Sequence, residues 1–238
     1  MIFGAILAGG IGSRMHISDM PKQFLPLDDK PIIIHTLEKF LLCPRIDAIY
    51  IGVHPNWLLH MQDLVDRHVP QYRDKIRIAA GGGDRNETIL NIIEAIEKDF
   101  GPSDDHIIVT HDSVRPFVTL RILDENIDAA LRYGAVDTVI SATDTIVVSE
   151  DGKVISSIPE RRKIYQGQTP QSFRMSLLKK LYLELSEDEK AVLTDACKIC
   201  VVRSTPVRLV EGEVANLKIT TVSDYKIAQA MVGGIQID

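Results

Sequence analysis

The sequence predicts an α/β fold, a mostly parallel sheet flanked by helices, and three observations carry that expectation. Short apolar runs suited to buried strands alternate with longer stretches whose apolar residues recur at helical spacing. Glycine-rich turns follow two of those runs and a His-Asp pair follows a third, which is where parallel sheets gather ligands. At 238 residues with 45% hydrophobic content, the chain can bury a sizeable core as a single domain spanning 1–238.

The first strand is expected over residues 2–7, and Pro21, Pro26 and Pro31 keep the stretch after it from forming one continuous helix. Strands at 48–53, 76–80, 107–110 and 136–142 then alternate with helices at 32–42, 57–68, 85–98 and 120–133. After Ala142 the pattern breaks. Residues 145–149, an Asp151-Gly152 turn and residues 153–158 read as a β-hairpin too short to stand alone, hence a projecting arm seated on a second copy of the chain or folded back on its own domain. The remainder reads as a return through Thr169-Pro170-Gln171, a helix from Arg174, a second helix boxed by Ser186 and Glu189, a strand at 207–210 and a closing helix at about 223–232.

Four segments carry chemistry. Leu7-Ala8-Gly9-Gly10-Ile11-Gly12-Ser13-Arg14-Met15 follows the first strand, and Pro21-Lys22-Gln23-Phe24 comes soon after. Glycines let backbone N–H groups close on phosphate oxygens, and Arg14 and Lys22 add cations, so the loop reads as a nucleoside triphosphate site. A dinucleotide fingerprint fails because Met15 stands where a third glycine is needed, and a P-loop fails because Lys22 lies ten residues beyond Gly12. The second segment, Gly81 to Thr88, is a glycine turn in which Asp84 and Glu87 have capping spacing; its backbone, Asn86 and Thr88 can read a base edge, and a plain helix start is the other reading. In the third, His111-Asp112-Ser113-Val114-Arg115-Pro116, Asp112 at a strand end is placed to hold Mg²⁺ or, alternatively, to pair with Arg115 in a turn. The fourth is Lys218 in an apolar run at 216–221, read as a strand in which a lysine either meets an anion or snorkels.

Composition narrows the partners. Lys+Arg 27 against Asp+Glu 33 gives a formal charge of −6, which argues against nucleic acid and anionic membrane as general partners and leaves small anionic molecules. No apolar run is long enough to span a membrane and the start lacks a signal-peptide pattern, so a cytoplasmic protein is expected. Cys43, Cys197 and Cys200 read as reduced thiols, and Cys197 and Cys200 as buried, since the lone C-x-x-C spacing lacks a second pair for zinc.

Taken together, these motifs resemble the cytidylyltransferases that make CDP-alditols, in order and over essentially the whole chain. The carriers are Gly9-Gly10-x-Gly12-x-Arg14-Met15, Pro21-Lys22-Gln23-Phe24, Gly81 to Thr88, His111-Asp112-x-x-Arg115-Pro116, Thr169-Pro170-Gln171 and Asn216-Leu217-Lys218. The resemblance implies a Rossmann-like fold of nucleotidyltransferase type. It further implies that Leu7, Ala8, Gly9, Gly10, Gly82, Gly83, Asp84, Arg85, Asn86, Glu87 and Thr88 hold CTP, with Ser113 nearby. Arg14 and Lys22 would stabilise the transition state, Asp112 would sit at Mg²⁺ and the ribose, and Arg161 and Lys218 would position the alditol phosphate. Arg162 and Lys163 adjoin Arg161, so the register there is open by one. In the family the arm, residues 143–166 here, crosses to a partner subunit, which implies a homodimer. Ser113-Val114, Tyr165-Gln166-Gly167-Gln168 and Asp195-Ala196-Cys197-Lys198 look more like the branch that uses ribitol 5-phosphate than the one that uses methylerythritol 4-phosphate. The second branch shares every catalytic part and stays open.

Overall fold

The computed structural model describes residues 1–10 and 20–233. After β1 (Ile2–Ala8) come a single 3-10 turn at Lys22–Phe24, a two-strand ribbon of β2 (Pro26–Leu27) and β3 (Lys30–Pro31), and α1 (Ile32–Leu41). The chain then alternates through β4 (Ala48–Val53), α2 (Leu58–His68), β5 (Ile76–Ala80), α3 (Arg85–Phe100), β6 (Ile107–Asp112), α4 (Leu120–Tyr133) and β7 (Ala135–Ser141). It closes with β8 (Tyr165–Arg174), α5 (Met175–Leu183), α6 (Glu187–Ala191), α7 (Ala196–Val202), β9 (Arg208–Glu211) and α8 (Val222–Gly233).

The main sheet has the order β5-β4-β1-β6-β8-β7-β9. Strand β1 pairs in parallel with β4 on one side and β6 on the other, which sets Leu7 opposite both Gly52 and Asp112. The strand order therefore reverses at β1, and a ligand crevice is expected above its carboxyl end. Among the described strands of the main sheet only β8 runs antiparallel, between β6 and β7. Apolar faces of α1, α2 and α4 cover one side of the sheet, with Phe40, Met61 and Ile127 fully buried. The other side is covered by α3, α5 and α7 through Ile92, Leu178 and Ile199. A third cluster joins Leu25, Leu27 and Ile32 to Val114, Ile219 and Ala228, so α8 packs over the segments that carry Lys22 and Lys218.

Local signals set several boundaries as expected. Asp84 caps α3 by accepting from Asn86 N at 2.7 Å and Glu87 N at 2.8 Å. Ser186 and Glu189 form a reciprocal box at α6, while Gly134 ends α4 at φ +84, a left-handed turn that a side chain would strain.

Three expectations change. The polar stretch around Thr169-Pro170-Gln171 is a central strand, β8, because its polar groups find partners inside: Thr110 Oγ1 donates to Gln171 O at 2.8 Å and Thr138 Oγ1 to Pro170 O at 2.6 Å. Residues 216–221 do not form a strand. They are held as an irregular segment by Ile219 N–H donating to Val114 O at 3.0 Å and by Asn216, whose Nδ2 donates to Thr169 O at 2.8 Å. The hairpin at 145–158 is closed by a single antiparallel bridge, Val148 with Ser157, rather than by two full strands. Asp151 makes its turn by accepting from Lys153 N and Val154 N, and Val147, Val154, Ile155 and Ile158 stand exposed along it.

Candidate active site

One cleft opens at the carboxyl ends of β1 and β6. It is lined by Leu7, Ala8, Gly9 and Gly10, by Lys22 and Gln23, by Gly82, Gly83, Asp84, Arg85 and Thr88, and by Asp112, Ser113, Val114 and Lys218. Segments from four distant parts of the chain thus meet at the strand-order reversal, as the sequence predicts.

Asp112 is the electrostatic centre. Its carboxylate is buried and meets Lys218 Nζ at 2.9 Å, Arg115 Nε at 3.6 Å and Arg85 Nε at 3.4 Å. Burial alone would raise its pKa, but Arg85, Lys218 and Arg115 outweigh burial and hold the carboxyl well below the usual carboxylate range. The group is therefore ionised at any working pH. Asp112 is paired with Arg115, as one of the two sequence readings has it, and its carboxylate also lines the cleft. Behind it, Asn216 fixes the cation side: Arg115 Nη1 donates to Asn216 O at 2.7 Å, and Asn216 Nδ2 donates to Gln168 Oε1 at 3.1 Å.

His111 is a structural residue. Its Nε2 lies 3.0 Å from Arg115 O, a carbonyl that can only accept, so Nε2 carries the proton. Thr169 Oγ1 accepts from Asp112 N at 3.1 Å and donates to His111 Nδ1 at 2.9 Å. Burial pushes the imidazole down to about 4, so it is neutral near pH 7 and locks the strand end that presents Asp112.

The glycine turn is shaped by Thr88. Gly82 N donates to Thr88 Oγ1 at 3.0 Å, and Thr88 Oγ1 donates to Asp84 O at 2.8 Å. A Cβ on Gly82 would collide with Glu87 Cβ of its own turn, and one on Gly9 would sit 3.1 Å from Thr88 Oγ1, so glycine at 82 lets the turn close and glycine at 9 lets the first loop lie against Thr88. Glu87 reaches back to accept from Gly83 N at 2.7 Å, which makes it a brace of the turn and keeps it off the cleft wall. Asn86 is buried behind the turn and likewise does not line the cleft.

Lys22 sits on the 3-10 turn beside Gln23, which is 3% exposed and donates from Nε2 to Ala8 O at 2.9 Å and Gly10 O at 3.0 Å. Lys22 also lies near the start of α8. There the Asp224 carboxyl, which burial would raise, is held below its ordinary value by N–H groups of Thr221 and Thr220 and by the Lys22 charge. Arg14 falls outside the described residues. Arg161 is exposed at the base of the arm, donates to Thr143 O at 3.1 Å, and does not line this cleft within its own chain. Cys197 and Cys200 are buried on α7 with their thiols pushed up by burial, and no set of three or more metal-ligating side chains occurs among the described residues. Gln23, buried Asn216 and Thr169 are the residues whose roles were not assigned from the sequence, although all three lie in the motifs that carried the resemblance.

A glycine-lined, cation-bearing cleft at the reversal point of a mostly parallel sheet defines a nucleotide-handling α/β protein. The family model described as IspD, 2-C-methyl-D-erythritol 4-phosphate cytidylyltransferase, matches residues 2–234, and the chain belongs to this cytidylyltransferase family. Ribitol-5-phosphate cytidylyltransferases of Streptococcus pneumoniae serotypes 2 and 4 are each 55% identical to it over 232 residues, covering 98% of this chain and 99% of theirs. The solved 4-diphosphocytidyl-2C-methyl-D-erythritol synthase of Anaerococcus prevotii superposes with a TM-score of 0.79 at 25% identity, covering 98% of this chain and 96% of that one. The Francisella tularensis 2-C-methyl-D-erythritol 4-phosphate cytidylyltransferase gives 0.77 at 25% identity over 95% and 97%. No helix among the described residues is long and apolar enough to cross a membrane.

Proposed function

We propose that the chain transfers the cytidylyl group of CTP to D-ribitol 5-phosphate, forming CDP-ribitol and pyrophosphate, the activated ribitol unit being destined for teichoic acid. The observation that carries this choice of acceptor is the 55% identity to the streptococcal ribitol-5-phosphate enzymes, against 25% to the solved methylerythritol enzymes named above. The reaction is placed in the cytoplasm, where CTP is available.

A phosphate monoester loses its second proton near ~6, so at neutral pH the attacking oxygen is already an anion and no general base is required. That oxygen forms a bond to the α-phosphorus of CTP, and the bond from that phosphorus to the bridging oxygen of the leaving pyrophosphate breaks in line. The protein must bring two polyanions together and neutralise the charge that builds on the α-phosphoryl oxygens and the leaving group. Lys22 and Arg14 serve the transition state, and Lys218 orients the incoming phosphate. The cleft fits Mg²⁺, since Asp112 is an ionised oxygen donor beside the triphosphate site and Mg²⁺ commonly takes one or two carboxylates with phosphate oxygens and water. When bound, the ion neutralises triphosphate charge.

The exposed apolar arm at 143–166 is assigned to a homodimer, in which Arg161 reaches the alditol phosphate in the partner's cleft. Product analysis tests the reaction: CTP and ribitol 5-phosphate with Mg²⁺ should yield CDP-ribitol and one pyrophosphate per turnover, and the absence of CDP-ribitol would refute it.

A further inference from the structure

We propose that Gln23 is a positioning residue for the nucleotide phosphates, clamping the glycine loop in the orientation that a triphosphate requires. The inference rests on the reading of the cleft as a CTP site and extends it to a residue beyond those given binding or catalytic roles above. A glutamine amide buried to 3% exposure is costly unless its donors are used, and both Nε2 protons are used, on Ala8 O at 2.9 Å and Gly10 O at 3.0 Å. These two carbonyls belong to the loop that lines the cleft, two residues apart. A carbonyl oxygen turned into a phosphate site repels the phosphate oxygens, whereas a peptide N–H attracts them. Committing the carbonyls at 8 and 10 to a protein donor removes that repulsion before the nucleotide arrives.

The clamp is itself anchored. Gln23 is the middle residue of the turn in which Phe24 N donates to Pro21 O at 2.9 Å and Leu25 N donates to Lys22 O at 3.1 Å. Phe24 is buried against Trp57 and His60, with ring centroids 5.3 and 4.8 Å away. The same turn carries Lys22, so one rigid piece fixes both the loop carbonyls and the cation beside them. A misplacement of about 1 Å in such groups costs roughly 10²-fold in rate.

The test compares wild type, Gln23→Met and Gln23→Glu by pyrophosphate release from CTP with ribitol 5-phosphate and Mg²⁺ at saturating concentration, between about pH 8.5 and about pH 6. Methionine keeps the volume without a donor, so Gln23→Met should lose roughly 10²-fold in kcat/KM for CTP, with its ratio to wild type flat across pH. Ionised glutamate faces two carbonyls and should be at least as poor at high pH. As the pH falls it gains a proton and can donate to one carbonyl, so its activity relative to wild type should climb at least about five-fold. A residue that merely fills space gives no such pH-dependent rescue. Gln23→Met within about three-fold of wild type, or a flat Gln23→Glu ratio, overturns the proposal. Wild type that does not consume CTP refutes instead the reading of the site. Should a variant fail to fold, judged by thermal unfolding and by emission of the single tryptophan, Trp57, which packs on Phe24, the wild-type enzyme decides by NMR. Its Gln23 side-chain amide protons should be protected from solvent exchange, and rapid exchange contradicts the clamp.

Discussion

Replacing Asp112 by asparagine is the perturbation with the clearest structural consequence. It leaves the shape of the strand end intact but removes the anion that pairs with Lys218, Arg115 and Arg85. Lys218 has a side chain 43% exposed and can turn to solvent, so its pairing with Asp112 is discounted to about 1 kcal/mol or less. Arg115 and Arg85, at 9% and 22% exposure, cannot leave as readily and are stranded next to a neutral amide. Breaking a buried pair from one side costs about 3–5 kcal/mol, and the partial exposure of Arg85 argues for roughly 3 kcal/mol here. For a chain of this size that is a fall of about 6–12 °C in Tm at neutral pH. The sign with pH follows from the depressed carboxyl. Its contribution is present in full above the unfolded carboxylate value of about 3.9 and is lost as the pH falls through the lower folded value, so the gap between the proteins should narrow in acid. Urea titrations of both proteins at about pH 7 and at about pH 2.5, below the unfolded carboxylate value, measure this. Inorganic pyrophosphate should in addition raise the Tm of the variant more than that of wild type, because the freed cations accept an anion. Equal stability at neutral pH, together with equal shifts with pyrophosphate, would refute the assignment of Asp112 as the charge that holds the cations in place.

Lys22→Ala should lower turnover by roughly two to three decades while the unfolding midpoint stays close to wild type; near-normal kcat rules out the transition-state role. Chelation of divalent cations should abolish pyrophosphate release and Mg²⁺ should restore it, with Asp112→Asn needing more Mg²⁺ for half-maximal rate; indifference to EDTA contradicts the metal assignment. Asp137 is pushed up to about 6, chiefly by burial, so its folded-state value lies above the unfolded one and its stabilising effect fades as the pH rises through about 6. Asp137→Asn should accordingly be more stable than wild type at about pH 8 and lose that advantage near pH 4; a higher Tm for wild type at the alkaline end overturns this. Mixing Arg161→Ala with Arg14→Ala chains should recover activity in hybrid dimers, because one of the two clefts regains both arginines, and mixtures no better than their components after proven subunit exchange place each site within one chain.

The strands of the parallel half were legible because they are mostly apolar and bounded by glycine or polar turns, and the cleft was legible because the glycine segments at 9–10 and 81–83, weak signals singly, fall with His111-Asp112 at the same strand ends. Strand β8 was not legible. Its Gln166-Gly167-Gln168-Thr169-Pro170-Gln171 core is polar and proline-containing, and it becomes a central strand only because Thr110, Thr138, Asp137 and Asp195 supply partners from elsewhere in the chain. Lys218 misled in the opposite sense, since its apolar neighbours suggest a strand. Leu217 and Ile219 instead pack in the third hydrophobic cluster, under α8, while the lysine turns to Asp112. Gln23 illustrates what a sequence conceals, because only the folded structure brings the carbonyls at 8 and 10 within its reach.

The account's central claim is the identity of the acceptor, and competing substrates test it most directly. With CTP and Mg²⁺ fixed, kcat/KM for pyrophosphate release should be higher with ribitol 5-phosphate than with methylerythritol 4-phosphate by roughly 10²-fold or more, since an acceptor site built to bond a substrate's hydroxyls discriminates strongly against the wrong pattern. Equal values, or a preference for the branched alditol, would contradict it.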